Sequence, residues 1–262
     1  PHSTDYATAP TGSSSRATVT APRNRCQIPL KMQLPKTAKN RNLETVRIRV
    51  LPPVLLAPLR RPSPAPLRRP ATPRDSRIFP GYYAPVLVME NGEYVLRPMR
   101  YQCRIAGTPA SFDVKYPGTY NARKNSLGGF WKSCFGQTHG VLLVEVFYEN
   151  VKKAKMEGTV LESHDKDENV VLEFRPSNRQ LMHVACLWSR WTKPGEPDLL
   201  SFAAITDDPP PEVEAAGHDR CIIPIKPENI EAWLNPEATS LDAMYAILDD
   251  KDRPYYEHKF AA

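Results

Sequence analysis

Three short stretches carry side chains whose types and spacing could do chemistry. Asn121-Ala122-Arg123 sets an amide and a guanidinium two residues apart, which can clamp a phosphate or a carbonyl, or simply close a loop. Glu149 follows Phe147-Tyr148 at the end of an apolar run that begins at Val141, and a carboxylate carried there is costly to bury unless it is protonated or partnered. His218-Asp219-Arg220 comes directly after Gly217, where a turn feeds a strand. His218 is therefore either a general acid/base oriented by its neighbours or a satisfied turn residue. Glu145 and Glu149 would share a strand face, but four residues of strand set them about 13 Å apart, too far for a glycosidase-type carboxylate pair.

Thiol and metal chemistry find less support. The five cysteines, Cys26, Cys103, Cys134, Cys186 and Cys221, are odd in number and scattered, which suits a reduced intracellular protein. His183 and Cys186 would point to opposite faces of a strand, and Cys134 and His139 have no second pair at zinc spacing. Neither a metal nor any other cofactor is expected. A cysteine hydrolase could pair Cys134 or Cys221 with His218, but no activated-thiol context surrounds either cysteine.

The elements that must position these groups read as a sheet. Residues 84–89 and 93–99 form a hairpin through Glu90-Asn91-Gly92, because Asn-Gly tolerates the positive φ of the tightest turns. Residues 101–105 should continue the sheet, and residues 107–118 form a loop into Asn121. A short helix is expected over residues 126–135, weakened by Gly128 and Gly129. Residues 141–149 form a buried strand with Val141, Leu143, Glu145, Phe147 and Glu149 on one face. After a polar loop at 151–169, strands are expected at 170–174, 181–189, 199–206 and 221–225. A helical turn at 212–216 ends at Gly217, and helices follow over 227–234 and from Ser240 to residue 248. The class is α+β: a mostly antiparallel, curled or barrel-like sheet with a few peripheral helices.

Charge divides the chain. Residues 1–75 hold 14 Lys and Arg against 3 Asp and Glu, net +11, against +6 for the whole chain, so the rest carries −5. The same stretch holds 13 of the 28 prolines and a single aromatic, Tyr6, too little apolar material to offset the entropy of ordering. The expected organisation is a disordered or irregular basic arm over residues 1–73 and a folded domain over 74–262. Within the arm, Ala57-Pro58-Leu59-Arg60-Arg61-Pro62 recurs as Ala65-Pro66-Leu67-Arg68-Arg69-Pro70, a repeat that favours extended polyproline-type backbone. The arm is a solvated tail or a nonspecific phosphate contact. The longest apolar window, residues 50–59, is about half a membrane span and contains three prolines, so no membrane association is expected.

Six features occur together and in order: Tyr82-Tyr83-Ala84-Pro85, Asn121-Ala122-Arg123, Phe147-Tyr148-Glu149, Ala185-Cys186-Leu187-Trp188, residues 202–206 ending in Thr206, and His218-Asp219-Arg220. On these, residues 74–262 resemble the SRAP (SOS response-associated peptidase) family, which recognises abasic sites in single-stranded DNA. The resemblance implies a positively lined cleft for kinked single-stranded DNA. It also implies a covalent thiazolidine link between an N-terminal cysteine and the ring-opened sugar, and self-processing that removes the initiator Met. Asn121 would hold the sugar or the reacting terminus, Glu149 would shuttle protons, and His218 would assist ring opening. Arg123, Trp131, Thr206 and Arg220 would contact DNA. A monomer in the cytoplasm, associated with the nucleoid, is the matching expectation, with no cofactor.

This sequence departs from the family at Asn150, where Trp is usual, and at Cys221-Ile222, where Met-Pro often follows His-Asp-Arg. The family nucleophile follows the initiator Met, whereas this sequence starts Pro1-His2-Ser3. Three accounts remain: Cys26 exposed by processing, an iminium on Pro1, or an intact domain behind a substituted N-terminal segment. Little or no crosslinking is expected of the chain as written. The competing readings are a non-covalent single-strand binder with aromatic stacking and the cysteine hydrolase.

Overall fold

In the computed structural model the described residues are 47–50, by backbone, and 77–160, 168–236 and 240–261; all belong to one compact unit of residues 41–262. Cys26 and most of the expected arm lie outside them. In chain order the described strands are β1 (Arg47–Val50), β2 (Arg77–Ile78), β3 (Tyr83–Glu90), β4 (Glu93–Tyr101), β5 (Asn121–Arg123), β6 (His139–Lys152), β7 (Asn169–Pro176), β8 (Met182–Lys193), β9 (Glu196–Asp207), β10 (Cys221–Ile222) and β11 (Tyr256–Phe260). The helices are short: α1 (Phe112–Lys115), α2 (Lys153–Glu157), α3 (Pro211–Ala215), α4 (Ile230–Leu234) and α5 (Leu241–Asp249).

Strand pairing closes a barrel. β9 pairs β4, β4 pairs β3, β3 pairs β6, β6 pairs β8 and β8 returns to β9, with β4 and β9 parallel and the other pairs antiparallel. Closure removes the edges that an open sheet would leave unpaired. β5 and β10 add to β9, β7 extends along β6 and carries β11, and β1 pairs β6 and β2.

Both faces of the barrel wall are buried, which is why the sequence shows continuous apolar runs rather than clean alternation. One parity of each wall strand, with Val86, Val88, Met99, Tyr101, Leu142, Val144, Val184, Cys186, Phe202 and Ala204, fills the interior. The other parity, with Val141, Ala185, Leu187, Ala203 and Ile205, is covered by Trp131, Phe135 and the apolar faces of α4 and α5. Trp233, Met244 and Leu248 supply that cover.

The expected hairpin is present, with Asn91 and Gly92 both at positive φ, 52° and 79°. Several local expectations fail for identifiable reasons. The sheet stops at Tyr101, because Gln102 takes φ 101° and turns the chain away. Residues 126–135 form turns after one 3-10 turn at Lys124–Ser126, as Gly128 and Gly129 weaken any helix there. β8 and β9 run on past their expected ends as a hairpin through Gly195, φ 80°. β10 is only two residues long, β11 is an additional strand, and helix α2 begins the stretch read as a polar loop. β1 falls inside the stretch read as arm, where it pairs β6 from Tyr148 to Val144.

Candidate functional site

The strand that carries Glu149 does not alternate evenly. Along β1, Arg49 pairs Val146 but Val50 pairs Val144, so β6 carries one extra residue near Glu145. Such a bulge shifts the side-chain parity of everything beyond it. Leu142 and Val144 face the interior before it, and Phe147 and Val151 face the interior after it. Val141 and Phe147 thus fall on opposite faces, contrary to strict alternation. Glu149, two residues from both Phe147 and Val151, is turned inward and has no solvent exposure.

His218 is brought to it by a different device. The turn after α3 passes through Gly217, φ 97°, whose N–H donates to the Glu214 carbonyl at 2.8 Å while the His218 N–H donates to the Val213 carbonyl at 3.2 Å. A Cβ at Gly217 would sit 3.4 Å from the backbone nitrogen of Met156 in α2, so glycine is required by conformation and by close approach. The turn buries His218 and sets its Nε2 3.1 Å from Glu149 Oε2. Its Nδ1 lies 2.9 Å from the Arg220 carbonyl oxygen, and the Arg220 N–H approaches the same nitrogen at 3.3 Å. An acid and an imidazole at that separation are placed to pass a proton to or from a third group.

Asn121 reaches the same interior through β5, whose three residues lie parallel to β9 with Asn121 opposite Ala204. The Ala204 N–H donates to the Tyr120 carbonyl at 2.9 Å, which fixes the entry of the short strand. The Asn121 Oδ1 accepts from the Tyr101 hydroxyl at 3.4 Å. Tyr101 is fully buried, stacked on Phe202 at 5.0 Å and edge-on to Tyr120 at 5.9 Å. Burial raises the Tyr101 phenol well above its ordinary range, and the Glu149 and Tyr120 charges push the same way. Tyr101 thus touches the amide on β5 and feels the charge of the carboxylate on β6. The sequence gives little sign of Tyr101, because a tyrosine in an apolar strand reads as core.

The expected DNA-contact residues separate into two groups. Arg123 pairs Asp208 at 2.9 Å and Arg220 pairs Asp219 at 3.2 Å, both on the surface beside the pair. Thr206, the β9 partner of Arg123, is fully buried, and its hydroxyl has no hydrogen bond among the described residues. Trp131 is only 3 % exposed, packed edge-on against Phe130 beneath the outer helices, and so is core rather than a DNA-facing surface. Tyr82 and Tyr83, by contrast, are 58 % and 60 % exposed, next to Tyr101 through the Tyr101 N–H to Tyr82 carbonyl bond of 2.7 Å.

Neither candidate thiol combines a lowered pKa with a place beside His218. Burial drives the Cys221 thiol far up and the Glu149 carboxylate adds to it. A hydrogen bond from the Cys103 thiol holds the Cys134 thiol below its ordinary range, with burial working against it, but Cys134 lies in the outer apolar cluster, whereas His218 meets Glu149 on the interior side. Among the described residues no three His, Cys, Asp or Glu gather as a metal site, and no helix is long and apolar enough to cross a membrane.

A family model described as "SOS response associated peptidase (SRAP)" matches residues 61–259. No curated protein sequence matches. Three solved structures share the fold. A Bordetella bronchiseptica protein has TM-score 0.55 at 15% identity, over 72% of this chain and 88% of that one. A Bacteroides thetaiotaomicron protein has TM-score 0.56 at 11%, over 71% and 77%. A phage-related protein of Bordetella bronchiseptica has TM-score 0.54 at 18%, over 83% and 93%. The family match begins at residue 61, somewhat before the change in composition near Arg74.

Proposed function

The chain belongs to the SOS response associated peptidase family, and from that premise we propose that the Asn121, Glu149 and His218 side chains receive the sugar of an abasic site in single-stranded DNA. The observation that carries this reading is the 3.1 Å contact of His218 Nε2 with a Glu149 carboxylate that has no solvent exposure. A buried acid–imidazole pair has its natural use in proton transfer. An abasic sugar supplies the need: to open, its hemiacetal must lose the hydroxyl proton and gain one on the ring oxygen.

Each group then has a distinct task. Glu149 accepts the proton that the anomeric hydroxyl loses as the ring opens, and His218 donates one to the ring oxygen that leaves. Asn121, steadied by the Tyr101 hydroxyl, offers its amide to the sugar. Arg123 and Arg220 exchange Asp208 and Asp219 for phosphates, an exchange that costs little because exposed ion pairs contribute about 0–1 kcal/mol. Exposed Tyr82 and Tyr83 supply stacking surfaces for bases next to the missing one.

Denaturing and native gels with an abasic and an intact oligonucleotide, side by side and without borohydride, test this. Retention of the abasic strand in preference to the intact one, lost in Asn121→Ala, is expected. Equal retention of both strands would instead favour a general single-strand binder, and retention of neither would remove DNA as the ligand.

A further inference from the structure

Beside the β3–β4 hairpin lies a groove of about 400 Å³ lined by Leu87, Tyr94, Pro227, Glu228, Ile230 and Glu231. Its floor is apolar: Leu87 and Ile230 are half-buried against the outer cluster, and Tyr94 is 46 % exposed. Its rim is acidic, because Glu228, in the 3-10 turn before α4, and Glu231, in its first turn, are both exposed. A tyrosine and a proline over an apolar floor, with carboxylates at the edge, are the elements that read a polyproline-type strand carrying arginines.

We propose that this groove docks one Pro-Leu-Arg-Arg-Pro unit of the chain's own residues 51–76. That segment contains the unit twice, at 58–62 and 66–70, and lies outside the described residues. In a polyproline-type strand, residues three apart share a face, so Leu59 and Pro62, or Leu67 and Pro70, present apolar surface together while the paired arginines flank it. Two arginines per unit meet two carboxylates in the groove.

Strand register leaves the groove within reach of the segment. β1 and β3 both lie antiparallel to β6 on the edge opposite β8: Val50 pairs Val144, and Leu87 pairs Val141. The chain therefore leaves β1 running along β6 toward Leu87, which lies about 10 Å further on at strand spacing. The residues between Val50 and Pro58 span up to about 25 Å when extended, enough to cross that gap and enter the groove. The proposal stands apart from the DNA site, since it uses none of its residues.

The test places photoreactive p-benzoylphenylalanine at Tyr94 of the full chain, irradiates it, and maps the products by mass spectrometry. The expected product has monomer mass and joins position 94 to a peptide within residues 57–70. Its yield should fall about fivefold in Glu228→Arg/Glu231→Arg, the loss of two exposed ion pairs in the middle of their range. The yield should recover when Arg60, Arg61, Arg68 and Arg69 are changed to Glu in that background. Both glutamates are exposed, so the charge-reversed chain should fold, and its far-UV circular dichroism checks this. A product of dimer mass, attachment elsewhere in the chain, no product, or a yield indifferent to charge reversal each overturns the proposal.

Discussion

Two buried histidines in this molecule are held in opposite ways, and the contrast separates scaffold from candidate chemistry. His139 sits in the outer cluster, stacked on Trp233 at 3.9 Å and on Phe135 at 5.6 Å. Its Nε2 accepts from the Gly136 N–H at 2.8 Å and its Nδ1 lies 2.9 Å from the Trp233 carbonyl, so Nδ1 carries the only proton. Burial brings its pKa down to about 4. Every polar atom is satisfied by backbone and the ring is locked neutral, which is what a structural histidine needs. His218 is as deeply buried, yet its Nε2 faces a carboxylate with no solvent exposure. Burying a carboxylate for stability alone gains little, so the pair points to a use.

Glu149→Gln should break the contrast most sharply. The change is nearly isosteric and removes the proton acceptor, so abasic-site handling should fall on the order of 10²–10⁴-fold at almost unchanged melting temperature. A collapsed melting temperature would make Glu149 as structural as His139. His139→Ala should do the reverse, costing about 3 kcal/mol through lost stacking and two lost hydrogen bonds while the remaining folded protein binds DNA normally.

The same histidine sets an acid limit on stability. The folded pKa of about 4 lies below the ordinary 6.5, so as pH falls the unfolded chain takes up the proton first. Stability from neutral His139 is complete above about pH 6.5 and is lost progressively toward pH 4, by about 3 kcal/mol. Denaturant melts across that window should show this slope, and His139→Ala should flatten it.

What the sequence reveals of the two regions follows from the range of the forces involved. Asn-Gly and the glycine before His218 act within a few residues, and so the hairpin and the turn at Gly217 are legible. The side-chain types at Asn121, Glu149 and His218 are legible too. Which of them meet is decided at long range. The bulge near Glu145 appears only once β1 pairs β6, because an apolar run with both faces buried gives no parity signal. Without the bulge, Glu149 would be assigned to the face of Val141, which is the outer one. β5 is equally hidden, since three residues form a strand only through their parallel pairing with β9. Trp131 shows the converse: an aromatic in a glycine-rich segment reads as a surface contact, yet it fills the cluster that holds His139.

Gly217→Ala should have a smaller effect, felt first at the His218 end of the contrast. A Cβ at φ 97° is strained and would press on Met156 in α2, a cost of about 1–2 kcal/mol. Because His218 is the next residue, activity should drop more than that loss of stability explains. Equal activity in Gly217→Ala would mean that the pair does not depend on the turn geometry.

Tyr101→Phe should have the smallest effect and sharpens the contrast from within the site. The hydroxyl donates to Asn121 at 3.4 Å, a long bond, and removing it forfeits about 0.5–1.5 kcal/mol, or roughly 3- to 10-fold in abasic-site handling. Phenylalanine keeps the stacking on Phe202, so stability should hardly change. Burial and the Glu149 charge keep the phenol protonated through the neutral range, and it therefore acts as a fixed donor rather than as a titrating group. Its loss should accordingly lower activity uniformly across pH without moving either limb of the profile, whereas Glu149→Gln should erase a limb. If Tyr101→Phe shifts a limb instead, the phenol exchanges protons with Glu149, and the acid–imidazole pair must be extended to a third titrating member.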